Sequence, residues 1–238
     1  DSQPVNGVIA RSFTTLSEVV TAVKNLLINA DEGDAGADGV ALTADDLIAM
    51  GVSGLVATTG EPAKQTAAVA IFNDLIDTKA DADVDTVAKT QALYDAVQAV
   101  LRTATGDTPM VTKVQLGLLG FDVDNADSNV LTDVTDNNLS AIQQVLINLN
   151  LDTDFTNLTS LTQLQTLTNN AISALTALEA AAQGNSVETI TATTAFSDMG
   201  VTTVTNGGGT AGTANNLAAI KTVLASAAIT GSDADTYE

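Results

Sequence analysis

"LTADDLIAMGV" (residues 42–52) recurs twice more in the chain, as "VTKVQLGLLGF" (111–121) and "TATTAFSDMGV" (191–201), without gaps. The first two copies have Thr in their second position, where the third has Ala between two Thr residues, and all three have Gly in their tenth. Thr is a favourable N-cap, and Gly readily takes the left-handed conformation that ends a helix. Apolar residues three apart give one short stripe, as at Leu47 and Met50. The stretch therefore predicts a short helix, here called helix A.

A second repeated block follows helix A. "NNLSAIQQVLINL" (137–149) matches "NNLAAIKTVLASA" (215–227) closely and "QTAAVAIFNDLID" (65–77) more loosely. Two aliphatic columns recur four residues apart, which places them on one helical face. These columns are Ile71/Ile142/Ile220 and Leu75/Leu146/Leu224, with the first copy shifted by one residue relative to the other two stretches. The block predicts a longer helix, here called helix B.

A third block, helix C, is predicted over residues 12–27, 83–101 and 154–178. Its copies share the columns Phe13/Val84/Phe155 and Leu16/Val87/Leu158. The first copy has the three-and-four spacing of an amphipathic helix, and the longest copy extends the same stripe. The stripe residues are Leu16, Val19, Val20, Val23 and Leu27 in the first copy and Leu161, Leu164, Ile172, Leu175 and Leu178 in the longest.

The block order is C, A-B-C, A-B-C, A-B, which predicts an all-α fold of tandem three-helix-bundle modules forming an elongated array. Copies of this length are near the lower limit for a bundle that folds alone. The predicted divisions are a last helix with its linker (1–38), two modules (39–106 and 107–186) and two helices of a further module (187–238). An incomplete set of helices at each end is what we expect of a slice from a longer array. Alternatively, the terminal C and A-B pieces complete each other as one closed unit.

The composition excludes several classes of function. The chain has neither Cys nor His, which removes disulfides, the usual zinc sites and every Ser-His or Cys-His dyad. With 29 acidic and 8 basic residues its net charge is −21, which disfavours nucleic acid and anionic lipid as partners. No apolar run reaches the roughly 20 residues of a membrane span. No carboxylate pair has the setting of a hydrolase, so we expect no enzymatic activity, no catalytic residue and no organic cofactor.

Two acidic loops are candidates for binding calcium, a hard cation that takes several oxygen ligands. "ADEGDAGADGV" (30–40) joins helix C to helix A, but from Asp34 it lacks the third and twelfth ligands of an EF-hand. "FDVDNADSNVLTDVTDNN" (121–138) joins A to B. The other copies of both joins lack these carboxylates, which favours solvated turns over a metal site. The candidate ligands are Asp34, Asp38, Asp122, Asp124 and Asp127.

The pattern "LTxxDLxxMGVxGL", the "NLxAIxxVL" helix and "VDTVAKTQALYDAVQAVL" together resemble the GA-like helical modules repeated in very large bacterial surface proteins. These include RTX-type adhesins and biofilm-associated proteins. The resemblance covers nearly the whole chain and rests mostly on hydrophobic columns. It implies a three-helix shape and an extending or interacting role at the cell surface or outside the cell. No binding residue is implied, because the A–B loops differ between copies.

The leading hypothesis is a non-enzymatic spacer segment of an adhesin, whose partners are neighbouring repeats of the same protein. The alternative is a binding or self-assembling module that engages a protein or a glycan through an exposed helix face or the A–B loops. An apolar patch left uncovered after packing would favour that alternative.

Overall fold

A computed structural model describes residues 16–30, 40–57, 62–123, 133–149, 151, 155–182, 194–199, 201, 204 and 216–224. Within these ranges the fold is all-α, as predicted. A single isolated bridge pairs Val123 with Val134. The helices are α1 (Leu16–Asn29), α2 (Ala44–Met50), α3 (Ala63–Ile76), α4 (Asp81–Val84), α5 (Val87–Ala104), α6 (Lys113–Leu118), α7 (Asp136–Asn148), α8 (Leu161–Ala182), α9 (Thr194–Asp198) and α10 (Asn216–Leu224).

The predicted A helices are α2, α6 and α9, and the first two have the expected N-caps. Thr43 Oγ1 accepts the Asp46 N–H at 3.2 Å, and Asp46 Oδ2 accepts the Thr43 N–H at 2.9 Å. Thr112 and Gln115 form the same pair of reciprocal hydrogen bonds at the start of α6. Each box satisfies two backbone donors that a helix start leaves unpaired. The segment directly before α9 lies outside the described residues.

The A helices also end in one recurring way. Gly51 and Gly120 take φ values of +93° and +88°, as predicted. The next residue then donates its N–H five residues back. Val52 bonds to Leu47 O at 2.9 Å, Phe121 to Leu116 O at 3.2 Å and Val201 to Phe196 O at 2.7 Å. This 6→1 bond belongs to the Schellman motif, which satisfies the last carbonyls of a helix.

The predicted B helices are α3, α7 and α10, and two of them hold the start of the preceding A helix. Asn73 on α3 accepts the Leu42 N–H at 2.8 Å and donates to Leu42 O at 2.9 Å. Gln143 on α7 donates to Val111 O at 2.7 Å. Leu42 and Val111 occupy the same column, just before the Thr N-cap. A carboxamide on helix B therefore fixes helix A in both copies.

The predicted C helices are α1, α5 and α8, with two corrections to their starts. The second copy is not one helix from residue 83, because Thr86 caps α5 by accepting the Lys89 N–H at 3.3 Å. Residues 81–84 form the separate helix α4. The third copy begins at Leu161 and not at residue 154, because Ser160 Oγ accepts the Gln163 N–H at 3.1 Å.

Each C helix packs against the A and B helices that follow it, and α5 and α8 also pack against the B helix before them. The C helices are thus shared between successive groups of helices. One buried, mostly aliphatic cluster accordingly runs from Ala22 on α1 to Ile172 on α8. A second cluster joins Ala141 and the later turns of α8 to residues of α9 and α10.

Hydrogen bonds cross the sequence boundary predicted at residue 106. Thr103 is fully buried, and its Oγ1 accepts the Val111 N–H at 2.7 Å. Leu151 donates its N–H to Ala104 O at 3.2 Å. Asp74 Oδ2 on α3 accepts the Leu161 N–H, at the start of α8, at 3.0 Å. The helices before and after the boundary therefore share backbone contacts as well as a core.

Replacing Gly120 by Ala should lower the free energy of unfolding by about 1 kcal/mol, because L residues are strained at positive φ. No heavy atom lies within 4 Å of the added Cβ, so the loss would come from the backbone alone. Gly120→Asn is the matched control and should lose less, since Asn tolerates this conformation. Urea unfolding measures both; equal losses would contradict the conformational explanation.

The continuous core predicts that helices α1 to α8 unfold as one cooperative unit. Phe72→Ala on α3 should cost about 3–5 kcal/mol and Leu146→Ala on α7 about 2–5 kcal/mol, because both side chains are essentially unexposed. Each should move the whole thermal transition. Val114→Ala, at a 72%-exposed position, is the control and should change stability by less than about 0.5 kcal/mol. Two separate transitions, each moved by one variant, would refute the shared core.

Candidate functional site

Helix α1 exposes an apolar face. Leu16 is 79% exposed, Val20 58% and Val23 39%. An adjacent side of the helix is anchored in the core by Ala22 and Leu26, which are buried. The sequence predicted one amphipathic stripe through Leu16, Val19, Val20, Val23 and Leu27. Leu27 does pack against the core, but Leu16, Val20 and Val23 are exposed because the buried side of α1 lies along Ala22 and Leu26. An uncovered apolar face of this kind is typical of an interaction surface.

An open groove runs along this face. Its volume is about 630 Å³, and α1 supplies the lining residues Val19, Val20, Val23, Lys24, Leu27 and Ile28. Helix α4 adds one carboxylate, that of Asp81. The groove is thus mainly aliphatic with one charge of each sign at its border. Such a surface suits the apolar side of another helix better than a small polar ligand.

The equivalent face of α5 is covered. The alignment of the two helices that pairs Leu16 with Val87 also pairs Val23 with Tyr94 and Val20 with Gln91. Tyr94 is fully buried and meets the ring of Phe72, on the preceding B helix, edge to face at 5.8 Å. Gln91 Oε1 accepts the Ser53 N–H, just beyond the preceding A helix, at 2.7 Å. The preceding A-B pair, α2 and α3, therefore covers the face of α5 whose counterpart on α1 is exposed.

The sequence contains a signal for this surface that helical periodicity alone does not show. Helix α1 carries aliphatic residues at Val20 and Leu27, where α5 has Gln91 and Gln98. Its apolar residues therefore cover more of the circumference than one buried stripe needs. Comparing the copies column by column would have separated the core positions from this second face.

Four of the five predicted metal ligands, Asp34, Asp38, Asp124 and Asp127, lie outside the described residues. The fifth, Asp122, follows α6 and is half-buried, and its backbone carbonyl accepts the Val134 N–H at 2.8 Å. Across the parts of the chain that the structure describes, no three acidic side chains converge as metal ligands would. Calcium binding by the acidic loops stays a prediction.

Carboxylates on α3 form the other notable polar group. Asp74 caps the start of α8, where negative charge favours the positive end of the helix dipole. One turn later, Asp77 ends α3, and partial desolvation together with the charge of Asp74 raises the pKa of Asp77. Nearby, desolvation lowers the pKa of Lys79, while Asp83 opposes that shift. Asp74 joins α3 to α8 through this bond, which gives its carboxylate a structural use.

The comparisons with known proteins return no match, whether to protein-family models, to curated proteins or to solved structures. The resemblance to GA-like modules therefore stays a prediction, as does the expected lack of enzymatic activity. Among the described helices, none has the length and apolar character to cross a bilayer.

Asp74→Ala should destabilise the chain by about 1 kcal/mol, because it removes the carboxylate that receives the first amide of α8. Asp74→Asn is the matched control: it keeps an acceptor oxygen without the charge, and it should lose less. Urea unfolding at neutral pH gives both values. A larger loss for Asn than for Ala would contradict the capping role of Asp74.

Proposed function

We propose that this chain is a structural spacer in a secreted or cell-surface bacterial adhesin, built as an elongated array of three-helix modules. Its task is mechanical: it extends or presents adhesive regions, and its immediate partners are neighbouring repeats. The proposal keeps the predicted modules 39–106 and 107–186 as the repeating units.

Sharing of the C helices is the observation that carries this proposal. Helix α5 contacts both α3 before it and α6 and α7 after it, and α8 likewise contacts α7, α9 and α10. A helix packed on both sides couples successive modules through buried aliphatic surface. The stability of such an array approximates a sum of modules and interfaces, and the interfaces resist bending between modules.

The acidic surface supports a spacer in a second way. A net charge of −21 keeps neighbouring chains apart and soluble at low ionic strength. The carboxylates also repel one another within a chain, which favours an extended arrangement. Divalent cations that bridge carboxylates at the acidic joins would stiffen the array without changing its length.

The open face of α1 favours the alternative, a protein- or glycan-binding module. Its aliphatic groove suits a protein helix, whereas glycan sites need polar groups and aromatic platforms. The sequence also nominated the A–B loops 121–138 and 202–216, of which residues 124–132, 202–203 and 205–215 lie outside the described residues. A pull-down that retains a host protein on the wild-type chain, but not on Val20→Glu, would favour this alternative.

Small-angle scattering of the dilute chain tests the spacer. A compact body of 238 residues has a radius of gyration of about 18 Å. We expect a clearly larger value and a pair-distance distribution with a long tail, because an array grows along one axis. Adding calcium should leave the maximum dimension nearly unchanged.

The magnesium salt at equal ionic strength is the control for the calcium measurement. A radius near the compact value would refute the spacer. Contraction or assembly with calcium alone would instead point to a specific metal site in the acidic loops.

A further inference from the structure

We propose that Asn157, in the turn before α8, is an acceptor site for an N-linked glycan. The chain contains two Asn-x-Ser/Thr triplets, "NLS" at 138–140 and "NLT" at 157–159, and this triplet is the pattern that N-linked glycosylation recognises. A triplet by itself recurs by chance, but the fold treats these two differently: it uses one asparagine and exposes the other. The inference goes beyond the proposed function and holds for a spacer and for a binding module alike.

The first asparagine, Asn138, is part of the fold. It lies in the first turn of α7 and is only 8% exposed. Its Oδ1 accepts the Thr135 N–H at 2.9 Å, and its Nδ2 donates to Asp133 O at 2.8 Å. The nitrogen that would carry a sugar is therefore buried and bonded to the backbone. A transferase cannot reach it in the folded chain.

The second asparagine, Asn157, lies at the tip of a tight turn whose two ends are fixed in the core. Phe155 and Leu158 are both buried, and the Leu158 N–H donates to Phe155 O at 3.0 Å. A bond between the first and fourth residues closes a β-turn, which makes Thr156 and Asn157 its two central residues. Both of these are exposed. The buried residues on either side thus present Asn157 to solvent.

The carboxamide of Asn157 has no part in capping the next helix. In the alignment of the C helices, Asn157 matches Thr86, which caps α5 by accepting the Lys89 N–H. Helix α8 begins later than this match predicts, and Ser160 caps it instead. Within the part of the chain that the structure describes, the carboxamide of Asn157 makes no hydrogen bond. Its nitrogen can therefore be modified without breaking a native contact.

The hydroxyl of the triplet is accessible as well. Thr159 is exposed, and its N–H and its Oγ1 both donate to Gln163 Oε1, at 2.7 and 3.3 Å respectively. The second distance is longer than that of a typical hydroxyl bond. A transferase that binds this hydroxyl displaces a weak contact and leaves the stronger backbone bond in place.

The co-substrate is a sugar that is activated by a diphosphate at its anomeric carbon. Nδ2 of Asn157 forms a bond to that carbon, the bond from the carbon to the phosphate oxygen breaks, and the diphosphate leaves with the electron pair. Nδ2 gives up one proton to a base of the transferase, and nothing is oxidised or reduced. The diphosphate belongs to a nucleoside or to a membrane lipid, and both donors present the same chemistry to the acceptor.

Peptide mass spectrometry of the protein isolated from the cells that make it tests the proposal. Cleavage before Asp residues separates the two triplets, because Asp152 and Asp154 lie between them in the sequence. We expect a sugar on the peptide that contains Asn157 and none on the peptide that contains Asn138. An unmodified Asn157 would overturn the proposal, and so would a sugar on Asn138 in its place.

Three variants test whether the triplet itself is recognised. The unmodified recombinant chain is incubated with an extract of the same cells and a labelled nucleoside diphosphate sugar. Asn157→Gln and Thr159→Val should lose the label, whereas Thr159→Ser is the matched control that keeps the hydroxyl and should be labelled like the wild type. Both positions are exposed, so each variant should keep its melting temperature. Undiminished labelling of Asn157→Gln would overturn the proposal.

Separating the extract into fractions distinguishes the two donors. Transfer by the soluble fraction assigns the nucleoside diphosphate sugar, and transfer that requires the membrane fraction assigns the lipid-linked one. Transfer by neither fraction would overturn the proposal. The scattering test of the spacer uses the unmodified chain, so the failure of one proposal leaves the other standing.

Discussion

The whole arrangement depends on C helices that pack, mostly through small and branched aliphatic residues, against helices both before and after them in the chain. Phe72 and Tyr94 form the only ring contact in the described residues, so aromatic stacking contributes little. The stabilising term is instead the removal of aliphatic surface from water, at roughly 25 cal/mol per Å². Helix α5 makes full use of it, since Leu93, Val97 and Leu101 are essentially buried.

The positions and ends of the short A helices follow from local chemistry, and for this reason the sequence predicted them well. Thr43, Thr112, Gly51 and Gly120 act within a few residues of themselves, through capping bonds and a left-handed backbone. Their effect does not depend on distant parts of the chain. The start of α5 was missed because the aliphatic column continues through Val84, while the Thr86 cap that interrupts the helix is a weaker pattern.

Which face of a helix is covered could not be predicted in the same way. Val23 and Tyr94 share a column, yet one is partly open and the other is buried. The difference arises from what packs on each helix, a long-range property that periodicity does not contain. The candidate metal ligands show the same limit, because the spacing of Asp122 and Asp124 in the sequence does not specify whether their oxygens converge.

The short A helices have a consequence for how such a chain can change in length. A helix of five to seven residues is too short to persist by itself in water, yet α2 and α6 are closed at both ends by their own side chains and backbone. Insertions in the flanking loops therefore cannot lengthen them. Gly120 follows Gly51 by 69 residues and precedes Gly200 by 80, but the three closures are alike wherever their atoms are described. Sequence drift can thus accumulate in the connections while the closures of the A helices are retained.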